Sequence, residues 1–159
     1  MKTAIFAGTF DPFTLGHFDI VKRAAKIFDR VIVAIAADNG KACACPLNAR
    51  KEIASVSVKE FENVFVESFD GFLSDFAVKN KAGILIRGLR SSTDFEYERP
   101  LCEVYRGQHK EIECLYLISS RNVGHISSSI VRQIAFLGGN LEGYVHKNAE
   151  QLISKSYKS

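Results

Sequence analysis

The chain has 159 residues, 47% of them apolar and 25% charged, with a formal net charge of +3. That length favours one domain, residues 1–159, large enough to bury a core without disulfides or a structural metal. The small positive balance gives no reason to expect nucleic acid and suits a small polyanion, while no apolar stretch reaches membrane-spanning length, so no membrane partner is expected.

The first apolar run, Thr3-Ala4-Ile5-Phe6-Ala7, reads as a strand. Gly8 and Asp11 break it too early for a signal peptide, which leaves a cytoplasmic protein as the expectation. The loop "GTFDPFTLGH" follows, and a helical pattern then opens with Phe18, Val21, Ala25 and Phe28 on one side and Asp19, Lys22, Arg23 and Lys26 on the other. Further strands are read in "VIVAIA" from Val31, "NVFVE" from Asn63, "GILIR" from Gly83 and "CLYLI" from Cys114. Helices are expected over Leu47 to Glu60, Gly71 to Asn80, Thr93 to Gly107, Ser127 to Leu137 and Asn148 to Tyr157. Pro100 falls inside the fourth of these. Either that helix kinks, the preferred reading, or "TDFEYE" is a separate turn and Pro100 starts a new helix.

Most strand runs are continuous rather than alternating, as when helices cover both faces of a parallel sheet. Their alternation with helices predicts an α/β fold: a doubly wound, five-stranded parallel sheet of the Rossmann-like kind, with the first strand beside the fourth. Cys43 and Cys45 lie together in "KACACP", whereas Cys102 and Cys114 are isolated. That spacing lacks the second pair a zinc site needs, so no metal ligands are assigned and reduced thiols are expected.

In such sheets ligands bind beyond the carboxyl ends of the strands, where the strand order reverses. The unusual residues of this chain cluster at those ends. In "GTFDPFTLGH", Gly8 allows a tight turn and Thr9 offers a hydroxyl and an N–H. Gly16 opens the helix entrance to an anion, drawn there by unpaired N–H groups and the positive end of the helix dipole. His17 falls one turn after Thr14 on the same face, where it either donates to a phosphate oxygen or simply caps and packs the first turn. "RGLR" places Arg87 and Arg90 around Gly88 at the end of a very apolar strand; both suit phosphate, and either can instead pair with Asp94 or Glu98. In "ISSSIVRQ", successive hydroxyls and amides form a second anion cradle, although one serine is explained as an ordinary N-cap. Lys41, after Asn39-Gly40, is noteworthy only for its place beyond the second strand.

No nucleophile stands beside a base in this set, and neither G-x-x-x-x-G-K-[ST] nor G-x-G-x-x-G is present. Donors and positive charge converging on phosphate suit in-line phosphoryl or nucleotidyl transfer.

"TLGH" with "ISSSIVR" resembles the paired signature of the nucleotidyltransferase superfamily related to class I aminoacyl-tRNA synthetases. "GTFDPFTLGHFDIV", "LIRGLR", "DFEYE" and "ISSSIVR", in this order and at these separations, are similar to the bacterial phosphopantetheine adenylyltransferase family, from the first strand to at least Arg132. The resemblance implies attack of the phosphate of 4′-phosphopantetheine on the α-phosphorus of ATP, giving dephospho-coenzyme A and pyrophosphate with Mg²⁺ assisting and no covalent enzyme intermediate. It assigns transition-state stabilisation to His17, with Lys41, Arg90 and Thr9 in the catalytic set. Thr9, Lys41, Leu73 and Arg87 take the phosphopantetheine side. Thr9, Phe10, His17, Gly88, Leu89, Arg90, Glu98 and the run Val123, Gly124, His125, Ile126, Ser127, Ser128 and Ser129 take the ATP side. It further implies a homohexamer and a place for inhibition by coenzyme A. Ala7 replaces the family's usual proline or serine, Val123 stands where tryptophan is frequent, and His125 is unusual. Two other readings are another adenylyl- or cytidylyltransferase acting on nicotinate mononucleotide or a phosphorylated alcohol, and a nucleotide-binding sensor without turnover.

Overall fold

A computed structural model describes residues 1–37, 40 and 42–157. Five strands, β1 (Thr3–Gly8), β2 (Arg30–Ala36), β3 (Val64–Phe69), β4 (Ile84–Leu89) and β5 (Glu113–Ile118), form one sheet in the order β3-β2-β1-β4-β5. Every neighbouring pair is parallel, with Ile5 opposite Ile32 on one side and Leu85 on the other. The helices are α1 (Leu15–Ala24), α2 (Leu47–Val58), α3 (Leu73–Lys79), α4 (Ser92–Gln108), α5 (Ser128–Phe136) and α6 (Glu150–Tyr157), the last preceded by a 3₁₀ turn at Lys147–Ala149. The doubly wound sheet and the β1–β4 pairing are therefore those expected from the apolar runs.

The continuous runs have a simple packing reason. Alternate residues of the central strands feed opposite faces, and both faces are covered. Ile5, Ala7, Ile32, Ala34 and Leu85 join Leu73 and Ala77 of α3 in one core cluster. Ala4, Phe6, Val33, Ile35 and Ile86 join residues of α1, α2, α5 and α6 in the other. The edge strand β5 is different: Ile118 is 72% exposed.

Three local features bear on the expectations. First, α4 is one helix from Ser92 to Gln108 with Pro100 inside it, as in the preferred reading, and no separate helix begins at the proline. Ser91 caps it, accepting the Asp94 N–H at 3.2 Å, which starts the helix ahead of "TDFEYE". Second, Cys102 and Cys114, expected as isolated thiols, are joined in a disulfide, because α4 returns along β5 and brings their Cα atoms to 6.0 Å. Cys45 keeps its thiol in the core. Third, the backbone after β1 turns at Phe10, whose φ is 49°, and not at Gly8. A Cβ at Gly8 would stand 3.1 Å from the Phe10 ring, so glycine there makes room for that ring to fold back.

The strand order reverses between β1 and β4. β1 leads through α1 to β2 on one side, and β4 leads through α4 to β5 on the other. The loops leaving the carboxyl ends of β1 and β4 therefore part company and leave a crevice between them.

Candidate active site

That crevice is a cavity of about 590 Å³. Its walls come from the β1–α1 loop (Gly8, Thr9, Phe10), the first turn of α1 (Gly16, His17), the end of β4 (Arg87, Gly88, Arg90) and the start of α5 (Ser127, Ser128, Ser129). Three stretches far apart in the chain thus meet at one place. Two helix N-termini, those of α1 and α5, open into the same hollow, and each brings a positive dipole end, although in α1 the Leu15 N–H is already taken by Tyr144 O at 2.9 Å. An anion lying between them is favoured twice.

His17 is the most strongly constrained residue of the site. Thr14 is the N-cap of α1, and its backbone N–H donates to His17 Nδ1 at 3.0 Å, the half of a capping box that Glu or Gln usually supplies. Accepting at Nδ1 puts the ring proton on Nε2. Phe10 meets the imidazole edge-on at 5.0 Å, Phe13 lies at 5.4 Å and Phe6 at 6.1 Å. Burial among these rings, with Arg90 adding repulsion of a positive charge, lowers the His17 pKa to about 4. The imidazole is consequently neutral at pH 7, with one N–H to offer. Of the two readings left open by the sequence, capping and packing is the one the geometry displays, and His17 also lines the cavity.

The opposite wall is charged. Arg87 grips Glu98 with two parallel bonds, Nε to Oε2 at 2.6 Å and Nη2 to Oε1 at 2.8 Å, and a third donor reaches Ala7 O at 3.3 Å. Burial works against the Arg87 charge, but Glu98 outweighs it and pushes the guanidinium further towards its charged form. Arg90 is held more loosely by Asp94, at 3.3 Å, and is 44% exposed. Asp94 also accepts the Arg90 backbone N–H at 2.8 Å. Both arginines are thus paired with carboxylates, as one reading of "RGLR" anticipated, and both still face the hollow.

The three serines have separate duties. Ser127 caps α5, accepting the Ile130 N–H at 3.2 Å. Ser128 donates to Pro12 O at 2.8 Å, and Ser129 accepts from Arg132 at 3.2 Å. Arg132 also donates to the Asp11 carbonyl. The Ser128 hydroxyl and the Arg132 guanidinium therefore lock α5 onto the β1–α1 loop. The loop before α5 is fastened from below by Asp19, which accepts the Ser120 N–H at 3.0 Å and its hydroxyl at 2.8 Å. Burial raises the Asp19 carboxyl, but the two Ser120 bonds and Arg23 outweigh it and hold its pKa below the ordinary value.

Of the residues singled out in the sequence, Thr9, Phe10, His17, Arg87, Gly88, Arg90, Glu98, Ile126, Ser127, Ser128 and Ser129 line this cavity. Leu89, Val123, Gly124 and His125 are not among its walls. Leu89 alternates away from Gly88 on β4, and the segment 123–125 passes behind α1, its Val123 carbonyl 3.5 Å from where a Cβ at Gly16 would lie. Leu73 is packed at the start of α3 in the core cluster around Ile5 and Ile32. Lys41 lies outside the described residues. Sequence reasoning named Asp94 only as an arginine partner and passed over Thr93 and Tyr97, which stand on the same wall as Glu98. The signal was present, because positions 93, 94, 97 and 98 share one face of a helix.

A family model described as cytidylyltransferase-like matches residues 5–134. A phosphopantetheine adenylyltransferase of Moorella thermoacetica is 41% identical over 157 residues, covering 99% of this chain and 98% of that protein. One of Hahella chejuensis is 41% identical over 156 residues, covering 98% and 94%. Among solved structures, a candidate nicotinate-nucleotide adenylyltransferase from Vibrio parahaemolyticus superposes with a TM-score of 0.72, covering 98% of this chain and 93% of the other at 16% identity, a likeness of fold. The chain belongs to the cytidylyltransferase-like family and, within it, to the phosphopantetheine adenylyltransferases.

Proposed function

We infer that the chain, acting as a single domain over residues 1–159, transfers AMP from ATP to 4′-phosphopantetheine, releasing pyrophosphate and dephospho-coenzyme A. One observation carries the reading: a neutral imidazole N–H, two helix N-termini and two guanidiniums converge on a hollow at the switch point of a parallel sheet. No nucleophilic side chain is needed, because the acceptor phosphate is itself the nucleophile.

The triphosphate lies along the amides at the start of α1 and α5, with the α-phosphorus near His17. As the acceptor oxygen attacks and the bond to pyrophosphate breaks, charge gathers on the non-bridging oxygens of that phosphorus. His17 Nε2–H donates to one of them, and the fixed tautomer means that nothing has to reorganise in the step. Arg90 binds the β- and γ-phosphates of ATP, which depart as pyrophosphate. Thr9, Arg87 and Lys41 hold the acceptor phosphate, with Glu98 orienting Arg87. Magnesium enters as part of the MgATP substrate; Asp94 and Glu98, the carboxylates on the cavity wall, are already paired with arginines. Leu89 and the segment Val123 to His125 support the nucleotide loop, and Leu73 supports the acceptor side from the core. A cytoplasmic setting follows from the substrates. The exposed apolar residues of β5 and α5, among them Ile118 and Phe136, supply surface for a homohexamer, and coenzyme A, which shares the acceptor's chemistry, is a candidate inhibitor at the same hollow.

The experiment is a pyrophosphate-release assay with MgATP, supplied with phosphopantetheine or with nicotinate mononucleotide. Turnover with phosphopantetheine alone is expected. Turnover with nicotinate mononucleotide, or with neither acceptor, would overturn the reading. Lys41→Ala should weaken phosphopantetheine capture more than ATP capture, read as separate Michaelis constants.

A further inference from the structure

Arg50 enters none of the steps above, yet its surroundings tie it to them. It stands in the first turn of α2 and is only 2% exposed. A cation there opposes the positive end of its own helix dipole, and burying it is costly unless its donors are well matched. The guanidinium donates to three main-chain carbonyls: Nε to Cys45 at 3.1 Å, and Nη1 to Ala36 at 3.0 Å and Thr9 at 2.7 Å. None of those three partners carries a charge. They are the end of β2, the residue entering α2's cap, and the loop residue that follows β1.

The shortest bond is the one to Thr9, and Thr9 and Phe10 both line the cavity. In a trans peptide the C=O and the next N–H point to opposite sides of the plane. With the Thr9 oxygen drawn towards Arg50, the Phe10 N–H is turned the other way, to the cavity side. Phe10 keeps its φ of 49°, which a side chain other than glycine adopts only when its surroundings hold it. Neighbouring carbonyls are engaged in the same manner, Asp11 by Arg132 and Pro12 by Ser128. The carbonyl oxygens of Thr9, Asp11 and Pro12 are thus tied back by side-chain donors, and the Phe10 N–H is the amide this leaves on the cavity side.

We propose that Arg50 is a positioning residue for nucleotidyl transfer: it orients the Thr9–Phe10 peptide so that the Phe10 N–H meets the phosphate being transferred. Lysine cannot reproduce this, since it replaces a planar fork by a single ammonium. The inference rests on the adenylyltransferase reading above.

The test is steady-state kinetics of Arg50→Lys and Arg50→Gln, each normalised to folded protein by circular dichroism well below its melting temperature. Because small displacements of a catalytic group act on the transition state, kcat should fall about 30- to 100-fold while the KM for ATP stays within about threefold. A kcat within twofold of the parent in either folded variant would overturn the proposal, since a residue that only supports the fold leaves the rate per folded molecule unchanged. Failure of both variants to fold at 25 °C would overturn it too, making Arg50 a folding residue. The parent protein is the control: if it releases no pyrophosphate with phosphopantetheine, the functional reading fails; if it does and the variants match it, the Arg50 assignment alone fails.

Discussion

The two walls of the cavity solve the same electrostatic problem by opposite means. On the α1 side, His17 is fixed by a backbone hydrogen bond and three aromatic rings and carries no net charge. On the β4–α4 side, Arg87 and Arg90 are fully charged and rest against Glu98 and Asp94 until a ligand arrives. A neutral donor can be buried without a counter-ion, and it waits in its working geometry. A cation must be compensated in the empty site, so its partner has to be displaced or shared when phosphate binds. Under the proposed reaction, such a division assigns preorganised transition-state stabilisation to one wall and substrate capture to the other.

Removing the neutral donor should have the largest effect. His17→Ala should lower kcat by about 10²–10³-fold, the usual cost of losing one preorganised donor, with ATP binding changed only modestly by calorimetry. An equal loss in ATP affinity would erase the distinction between the walls. Arg90→Ala should act the other way, raising the KM for ATP by about 10- to 100-fold, as expected for a lost charge-assisted hydrogen bond. Glu98→Gln sharpens the comparison further. It leaves the half-buried Arg87 without its counter-charge and should cost about 1–3 kcal/mol of stability in a denaturant titration. Activity should fall through the acceptor KM rather than through kcat. The smallest effect belongs to Asp19→Asn, which loosens the Ser120 tether and should raise the KM for ATP by about two- to fivefold.

The charge state of His17 separates the walls by pH. With the folded pKa near 4 against an ordinary value of 6.5, the folded protein binds fewer protons than the unfolded chain between those limits. The contribution of neutral His17 to stability is therefore fully present above pH 6.5 and is lost as the pH falls towards 4. In the ligand-free protein, ¹⁵N spectra of the ring should show Nε2 protonated and Nδ1 unprotonated at pH 7. A ring that titrates near 6.5 would contradict the enclosed environment.

The strands were legible because five apolar runs of five or six residues have few other fates, and the helices because turn signals and amphipathic spacing separate them. Most of the site was legible too, since phosphate-binding residue types sit at strand ends. What escaped are contacts that local patterns do not encode. Arg50 reads as one more polar position on a helix, and only the folded chain shows it turned inward onto Thr9 and Ala36. The Cys102–Cys114 bridge depends on how α4 returns along β5. The retreat of Leu73 and Val123 from the cavity depends on which face of the local chain the core claims.

Asp11, beside the phosphate loop, accepts the Tyr157 hydroxyl at 2.5 Å as well as the N–H groups of Ala44 and Cys45. The bond to Tyr157 spans 146 positions of the chain. On the ribosome, the opening loop is made first but is clasped only when the helix containing Tyr157 has left the exit tunnel. A nascent chain that still holds this helix inside the tunnel should consequently be unable to turn over, however much of the sheet has already formed.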